Sequence, residues 1–289
     1  TNNDDDAAGI SVTPISGLAI NEAGGTATFT VVLDTAPSAD VTIGVSSGDT
    51  SEALIKGGDS PTAEVASLTL TFTSANYATP QTVTLVGQDD AVIDSNQTFN
   101  IITAAAASTD GNYAAINAAD VSATNNDNDI AGITVTPTNG LAVTEAGGTD
   151  TFTVVLNSQP TDDVTLNVTS GDTTEALVRG GDNPFTAVAT LTLTFTTADW
   201  ATPQTVTLEG QEDAIDDGDQ FVTISTAAAT SSDADYNGLN AADVTATTID
   251  NDQAGLTVTP VSGLTTTEAG GTDTFTVVLN TAPIQDVTI

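Results

Sequence analysis

Most of this chain is built from short runs in which apolar and polar residues alternate one by one. Leu68-Thr-Leu70-Thr-Phe72-Thr and Leu191-Thr-Leu193-Thr-Phe195-Thr alternate strictly. Phe29-Thr-Val31-Val-Leu33, Val41-Thr-Ile43-Gly-Val45 and Thr82-Val83-Thr84-Leu85 keep the same period of two. That period places apolar side chains on one face of a strand and polar ones on the other. The polar partner is mostly Thr, which like Val is β-branched and suits a pleated, half-buried surface. Turn signals separate the runs: Glu22-Ala-Gly-Gly, Ala36-Pro37, Lys56-Gly-Gly-Asp-Ser-Pro61, Gly87-Gln-Asp-Asp and Asp110-Gly-Asn. No long window carries a helical stripe, and the short Ala tract from Thr103 to Ala107 reads as the end of a strand.

The whole pattern then repeats. Segments beginning AGISVTP, AGITVTP and AGLTVTP start at Ala8, Ala131 and Ala254, in equal steps of 123 residues. A unit of this length holds a core of its own, beyond the span of a solenoid repeat. The expected domains are the tail of a preceding repeat at 1–7, repeats at 8–130 and 131–253, and the opening of a third at 254–289. Both ends of the chain read as cuts through a longer array. Roughly seven strands per repeat with one polar face describe an antiparallel sandwich. The expected fold class is therefore all-β, with tandem immunoglobulin-like β-sandwiches. Phe29, Phe72, Leu85 and Phe99 are expected to point inward, matched by Phe152, Phe195, Leu208 and Phe221. Tyr77 and Trp200 share one position and are expected to cap the core rather than to stack on sugars.

Charge narrows the function. There are 39 acidic residues against 2 basic ones, with no His, Cys or Met, and the net charge is −37. Binding nucleic acid by phosphate neutralisation needs Lys and Arg, and so does docking on an anionic membrane. No apolar run is long enough to insert directly into a bilayer. Without His or Cys there is no Ser-His or Cys-His pair and no thiolate nucleophile. Carboxylate pairs such as Asp89-Asp90 sit in polar loops with no apolar wall to raise one pKa. The chain reads as non-enzymatic.

The carboxylates cluster, and the clusters recur. The first repeat has Glu22, then Asp89-Asp90-Ala-Val-Ile-Asp94-Ser-Asn96, then Asp127-Asn128-Asp129. The second has Glu145, then Glu212-Asp213-Ala-Ile-Asp216-Asp217-Gly-Asp219, then Asp250-Asn251-Asp252. Such loops either solvate a secreted protein or hold a cation. The acidic triplets fall at the border between one unit and the next, where unneutralised like charges are costly, which favours the cation. Oxygen donors without nitrogen or sulfur suit a hard ion, and a flexible oxygen set suits Ca²⁺ better than Mg²⁺.

The strings EAGGTxTFTVVL, SGDTxEA, LTLTFTxAxW-ATPQTVTL and the closing Asp-Asn-Asp resemble the Calx-beta repeats of sodium–calcium exchangers. They resemble still more the tandem bacterial versions in long surface adhesins and extracellular matrix proteins. The resemblance covers nearly the whole of each repeat. It implies a sandwich binding Ca²⁺ at one tip through Glu22, Asp89, Asp90, Asp94, Asp127 and Asp129. In the second repeat the implied set is Glu145, Asp213, Asp217, Asp219, Asp250 and Asp252. Ser95-Asn96 stands where the second repeat has Gly218-Asp219, so the first site is expected to be weaker. The segment from Leu54 to Ala66 reads as an unusually long loop. It carries Lys56, and Arg179 lies one period later, so the two basic residues read either as solvated loop charges or as contacts to a neighbouring repeat or an identical chain. The expected function is a calcium-stiffened extracellular stalk or filament at a bacterial cell surface. The alternative is a recognition module for carbohydrate or another ligand.

Overall fold

The computed structural model describes residues 6–289. The expected tail at 1–7 thus falls mostly outside the described residues. The chain divides after Ile130 into two compact units.

The first unit contains ten strands. They are β1 (Ile10–Thr13), β2 (Leu18–Asn21), β3 (Thr26–Leu33), β4 (Val41–Ser47), β5 (Ala53–Gly57), β6 (Ser60–Val65), β7 (Ser67–Phe72), β8 (Gln81–Gly87), β9 (Gln97–Thr103) and β10 (Val121–Asn126). Two five-stranded sheets form, in the orders β1-β3-β8-β5-β6 and β2-β10-β9-β4-β7. Neighbours are antiparallel except β2 and β10, which run parallel with Leu18 opposite Ala123 and Asn21 opposite Asn126. The alternation seen in the sequence sets the faces. Leu68, Leu70 and Phe72 of β7 are buried, with the threonines between them turned away from the core. Phe29 and Leu85 from one sheet meet Ile43 and Phe72 from the other in a single core. This is an all-β, immunoglobulin-like sandwich.

The second unit repeats the plan one period later. Its strands are β11 (Ile133–Thr136), β12 (Leu141–Thr144), β13 (Thr149–Leu156), β14 (Val164–Ser170), β15 (Ala176–Gly180), β16 (Asn183–Val188), β17 (Thr190–Phe195), β18 (Gln204–Gly210), β19 (Gln220–Thr226) and β20 (Val244–Ile249). The sheet orders are β11-β13-β18-β15-β16 and β12-β20-β19-β14-β17. The unit also includes a two-stranded ladder of β21 (Leu256–Thr259) and β22 (Thr276–Leu279), which matches the opening of a repeat.

Two expectations need correction. Ten strands replace roughly seven, partly because the Leu54–Ala66 stretch is the β5–β6 hairpin rather than a loop. Its turn uses Gly57 and Gly58 at positive φ (145° and 47°). A Cβ at either would strike the backbone carbonyl of Thr82 or Thr69. The hairpin is irregular: Ile55 pairs with Val65 and Gly57 with Ser60, so residues 61–64 bow outward opposite Lys56. The second correction concerns Phe221, which is 86% exposed, whereas Val222 is 2% exposed. Val222 occupies the place of buried Phe99. β9 reads Gln-Thr-Phe and β19 reads Gln-Phe-Val, and one residue of shift in a strand moves a side chain to the opposite face.

Tyr77 and Trp200 pack half-buried against their cores as expected. The largest buried aromatics are others: Tyr113 and Tyr236, in the connections before β10 and β20. The Tyr113 hydroxyl donates to the Thr35 carbonyl at 2.6 Å and accepts the Thr35 N–H at 3.0 Å. Tyr236 does the same with Ser158, at 2.7 and 3.0 Å. Beside them, Asp110 and Asp233 accept the backbone N–H groups of Ser38 and Thr161, both at 2.7 Å. The backbone hydrogen bond from Ser38 leads the causes that hold Asp110 below its usual pKa. These contacts latch the long connection onto the turn after β3 or β13.

Candidate metal centre

The parallel pairing of β2 with β10 builds the site. β2 ends at Asn21 and β10 at Asn126, side by side, so the next residues of both segments emerge together. Glu22 N–H donates to the Asn126 carbonyl at 3.2 Å. Asn128 N–H then donates to Glu22 Oε2 at 3.0 Å, joining residues 106 apart in sequence. The triplet folds on itself through Asp129 N–H to Asp127 Oδ1 at 2.8 Å, the local turn that Asp favours. Carboxylate oxygens of Glu22, Asp127 and Asp129 lie within 4.8 Å of one another.

The acidic loop is tied to the triplet from the other side. Ser95 N–H donates to Asp127 Oδ2 at 2.9 Å, and Asp127 N–H donates to Asn96 Oδ1 at 3.1 Å. Asn128 Nδ2 donates to Asp89 Oδ1 at 3.1 Å. Asp90 accepts Val92 N–H at 2.7 Å and bears electrostatically on Glu22, Asp94 and Asp129.

The second repeat copies this. Glu145, Asp250 and Asp252 also lie within 4.8 Å of one another. Asn251 N–H reaches Glu145 Oε2 at 3.3 Å, and Gly218 N–H reaches Asp250 Oδ2 at 2.7 Å. Asp250 N–H donates to Asp219 Oδ1 at 3.2 Å, so Asp219 fills the role of Asn96 and the Ser95-Asn96 departure keeps the bond. Asp213 accepts Ile215 N–H at 2.7 Å. Asp213 and Asp217 both act electrostatically on Glu145.

One pair gave no clear signal in the sequence. Glu52 and Glu175, at the head of β5 and β15, are each 7% exposed, and their charges interact with Asp94 and Asp217 respectively. Asn125 Nδ2 donates to Glu52 Oε2 at 3.2 Å. Thr248 stands at the matching position in the second repeat and bonds the Glu175 carbonyl instead, at 3.4 Å. The recurrence of Glu in Ser-Gly-Asp-Thr-x-Glu-Ala, just before an apolar strand, was the available hint. It reads as turn chemistry until the fold brings it under the acidic loop.

The electrostatics ask for a counter-charge. Glu22, Glu52, Asp94 and Asp129 are all pushed above the usual carboxylate range, first by burial and then by neighbouring carboxylates. For Glu22 and Glu52 a single donated hydrogen bond, from Asn128 and Asn125, offsets part of the rise. Glu145, Glu175 and Asp252 are pushed up in the same way. Asp250 goes down because the N–H groups of Asp252 and Gly218 point at it. Asp94 Oδ1, Asp129 Oδ2, Glu175 Oε2 and Asp252 Oδ2 are buried acceptors without a hydrogen-bond partner. An unpartnered buried acceptor is costly and calls for a cation or its equivalent. Every donor is an oxygen, in a chain without His or Cys. The residues present thus fit a hard divalent cation.

Lys56 and Arg179 lie outside both carboxylate groups, on strands β5 and β15. Lys56 Nζ pairs with Glu64 at 3.7 Å, and Arg179 Nε approaches Glu209 Oε2 at 3.3 Å. Both pairs are formed within one repeat and stay partly exposed. Among the described residues no helix is long and apolar enough to cross a membrane.

No protein-family model and no curated protein matches the chain. Solved structures do. The apo-form Calx CBD1 domain is 14% identical, with 43% of this chain and 100% of that chain covered and a TM-score of 0.32. The calcium binding domain CBD12 of CALX1.1 is also 14% identical, covering 76% and 80%, with a TM-score of 0.34. Domains 4 and 5 of the S-layer protein SbsC reach 19% identity, covering 53% and 65%, with a TM-score of 0.28.

Proposed function

We propose that this chain is a non-catalytic structural array whose sandwiches each bind Ca²⁺ at the end where the chain leaves the repeat. One observation carries the reading. In both repeats three carboxylates converge within 4.8 Å, and buried acceptor oxygens beside them lack any partner. Bound calcium supplies positive charge there, and this chain's residues orient the oxygens around it. Glu22, Asp127, Asp129, Asp94 and Glu52 would hold it in the first repeat. In the second, Glu145, Asp250, Asp252, Asp217 and Glu175 would do so, with Asp89, Asp90, Asp213 and Asp219 placed around them.

The stiffening follows from position. Asp129 and Asp252 stand two residues before Ala131 and Ala254, where new repeats begin. A cation that ties the triplet to Glu22 or Glu145 also restrains the outgoing backbone. A charge of −37 suits a secreted surface or matrix protein, of the bacterial kind that the sequence resemblance implies. Calorimetry on the 289-residue chain should show calcium heats that vanish with chelator. Small-angle scattering should show a longer, less flexible particle in calcium. Absent heats overturn the binding, and superimposable scattering profiles overturn the stiffening.

The partners in this reading are neighbouring repeats and identical chains. Lys56 and Arg179 are the only basic residues of an acidic chain and stay partly exposed beside Glu64 and Glu209. There they relieve repulsion where copies approach. Each internal pair is worth about 0–1 kcal/mol, so Lys56→Glu with Arg179→Glu should leave both sandwiches folded while weakening self-association at low salt. Unchanged sedimentation of the double variant overturns the contact.

A further inference from the structure

We infer that the acidic loop of the second repeat is two-sided, holding the metal ligands on one side and locking the following segment through Asp216 on the other. Ala254 N–H donates to Asp216 Oδ2 at 2.7 Å, and Ala282 N–H donates to the Ala214 carbonyl at 2.6 Å. Between these two bonds Ile215 lines a cleft of about 690 Å³ with Leu256, Leu279 and Pro283. Three successive residues of the loop therefore meet the β21–β22 ladder and the residues flanking it: Ala214 by its carbonyl, Ile215 by apolar surface and Asp216 by a carboxylate. The residues on either side, Asp213 and Asp217, act on Glu145.

Asp216 is not one of the three converging carboxylates, although its charge bears on Asp252, and one of its oxygens is spent on the first residue of the next repeat. The first repeat has Ile93 at the same point of its loop, a side chain with no acceptor. The lock is a property of the second repeat and is absent from the period-matched sequence of the first. A charge-assisted bond of this type is stronger than a neutral one, and it fixes the backbone at the first residue after the border. A cation held by Asp217, with Asp213 drawn toward it, would restrain the loop on both sides of Ala214–Asp216, so loading the site would tighten the lock. That coupling rests on the calcium reading, whereas the lock itself does not.

Hydrogen exchange on the full chain tests both. In chelator, Asp216→Ile, the residue of the first repeat, should speed exchange of the Ala254 amide about tenfold, the loss of one charge-assisted bond. Asp216→Asn keeps an acceptor and should stay within about threefold of the parent. Slow amides of β18 and β19 serve as the folding control. Calcium should slow Ala254 and Ala282 in the parent chain. If Ala254 exchanges at the parent rate in Asp216→Ile, the lock is wrong, whatever calcium does. If Asp216→Ile has its effect while calorimetry finds no calcium heat, the lock stands and the calcium reading falls. If calcium binds but leaves both amides unchanged, the coupling is overturned.

Discussion

Replacing Glu22 by Gln should stabilise the first repeat without calcium and give back about 1 kcal/mol of that gain in calcium, a calcium-dependent change that a purely structural residue cannot produce. Glu22 is 3% exposed, with Asp127 and Asp129 within 4.8 Å. Two unit charges at that distance repel by about 3.5 kcal/mol in an effective dielectric of about 20, and Glu22 faces two. Salt and partial protonation reduce this, so neutralising Glu22 should gain about 1–3 kcal/mol in chelator. Gln keeps the oxygen that accepts Asn128 N–H, so the local fold is retained. With a Kd of about 10⁻⁴–10⁻³ M, calcium at about 10 mM stabilises the parent by about 1.4–2.7 kcal/mol. A tenfold weaker site leaves about 0.4–1.4 kcal/mol. For a repeat of this size a kilocalorie moves Tm by about 3–5 °C. Scanning calorimetry in chelator and in calcium gives both numbers. Trp200, the only Trp, reports the second repeat by fluorescence and should not move. A variant that loses stability equally in both conditions would show that Glu22 is merely a buried hydrogen-bond acceptor.

Phe221→Thr should change stability by less than about 0.5 kcal/mol, whereas Phe99→Ala should cost about 3–5 kcal/mol, both read from chemical denaturation. The reverse ranking would refute the placement of Phe221 on the outer face of β19. Tyr236→Phe removes the hydroxyl that Ser158 N–H and carbonyl share and should cost about 1–3 kcal/mol; an unchanged denaturation midpoint would show that water replaces the latch without loss. Without calcium, stability should fall as pH rises above the ordinary value of 4.5 for Glu22 and Glu52. Burial raises both, so the folded chain holds protons that the unfolded chain has released. Calcium affinity should weaken as pH falls through the same window, because protons and the cation compete. Asp110 and Asp233 are shifted down, titrate below 3.8 and lie outside that window. Urea midpoints that rise with pH in chelator would contradict the assignment.

Alternation alone was enough to place β7, β17 and the inward side chains of β3 and β13, since a period of two admits one buried face. The β5–β6 hairpin was harder, because residues 61–64 bow away from the ladder and carry no alternation to read. Phe221 was misplaced for a related reason: size suggests burial, but register decides it, and β19 offers Val222 to the core. Glu22, Asp127 and Asp129 were legible as a set because each recurs beside a turn or border. Glu52 was not, since its link to Asp94 and Asn125 exists only once the sheets have closed. Tyr113 was hidden in the same way, as its partner Thr35 lies 78 residues earlier.

The parallel run of β2 beside β10 also decides how a repeat carries tension. Its four residue pairs, Leu18 with Ala123 through Asn21 with Asn126, join the second strand of the domain to its last. Pull on the incoming chain is met first by the β1–β3 ladder and, once β1 gives way, draws β2 one way, while pull on the outgoing chain draws β10 the other. The ladder between them is loaded in shear, so its hydrogen bonds must fail together. An antiparallel hairpin pulled from its open end would instead unzip one bond at a time. Glu22 and the Asp127–Asp129 triplet sit at the downstream end of this ladder. A cation held there would act as a rivet across the two load-bearing strands.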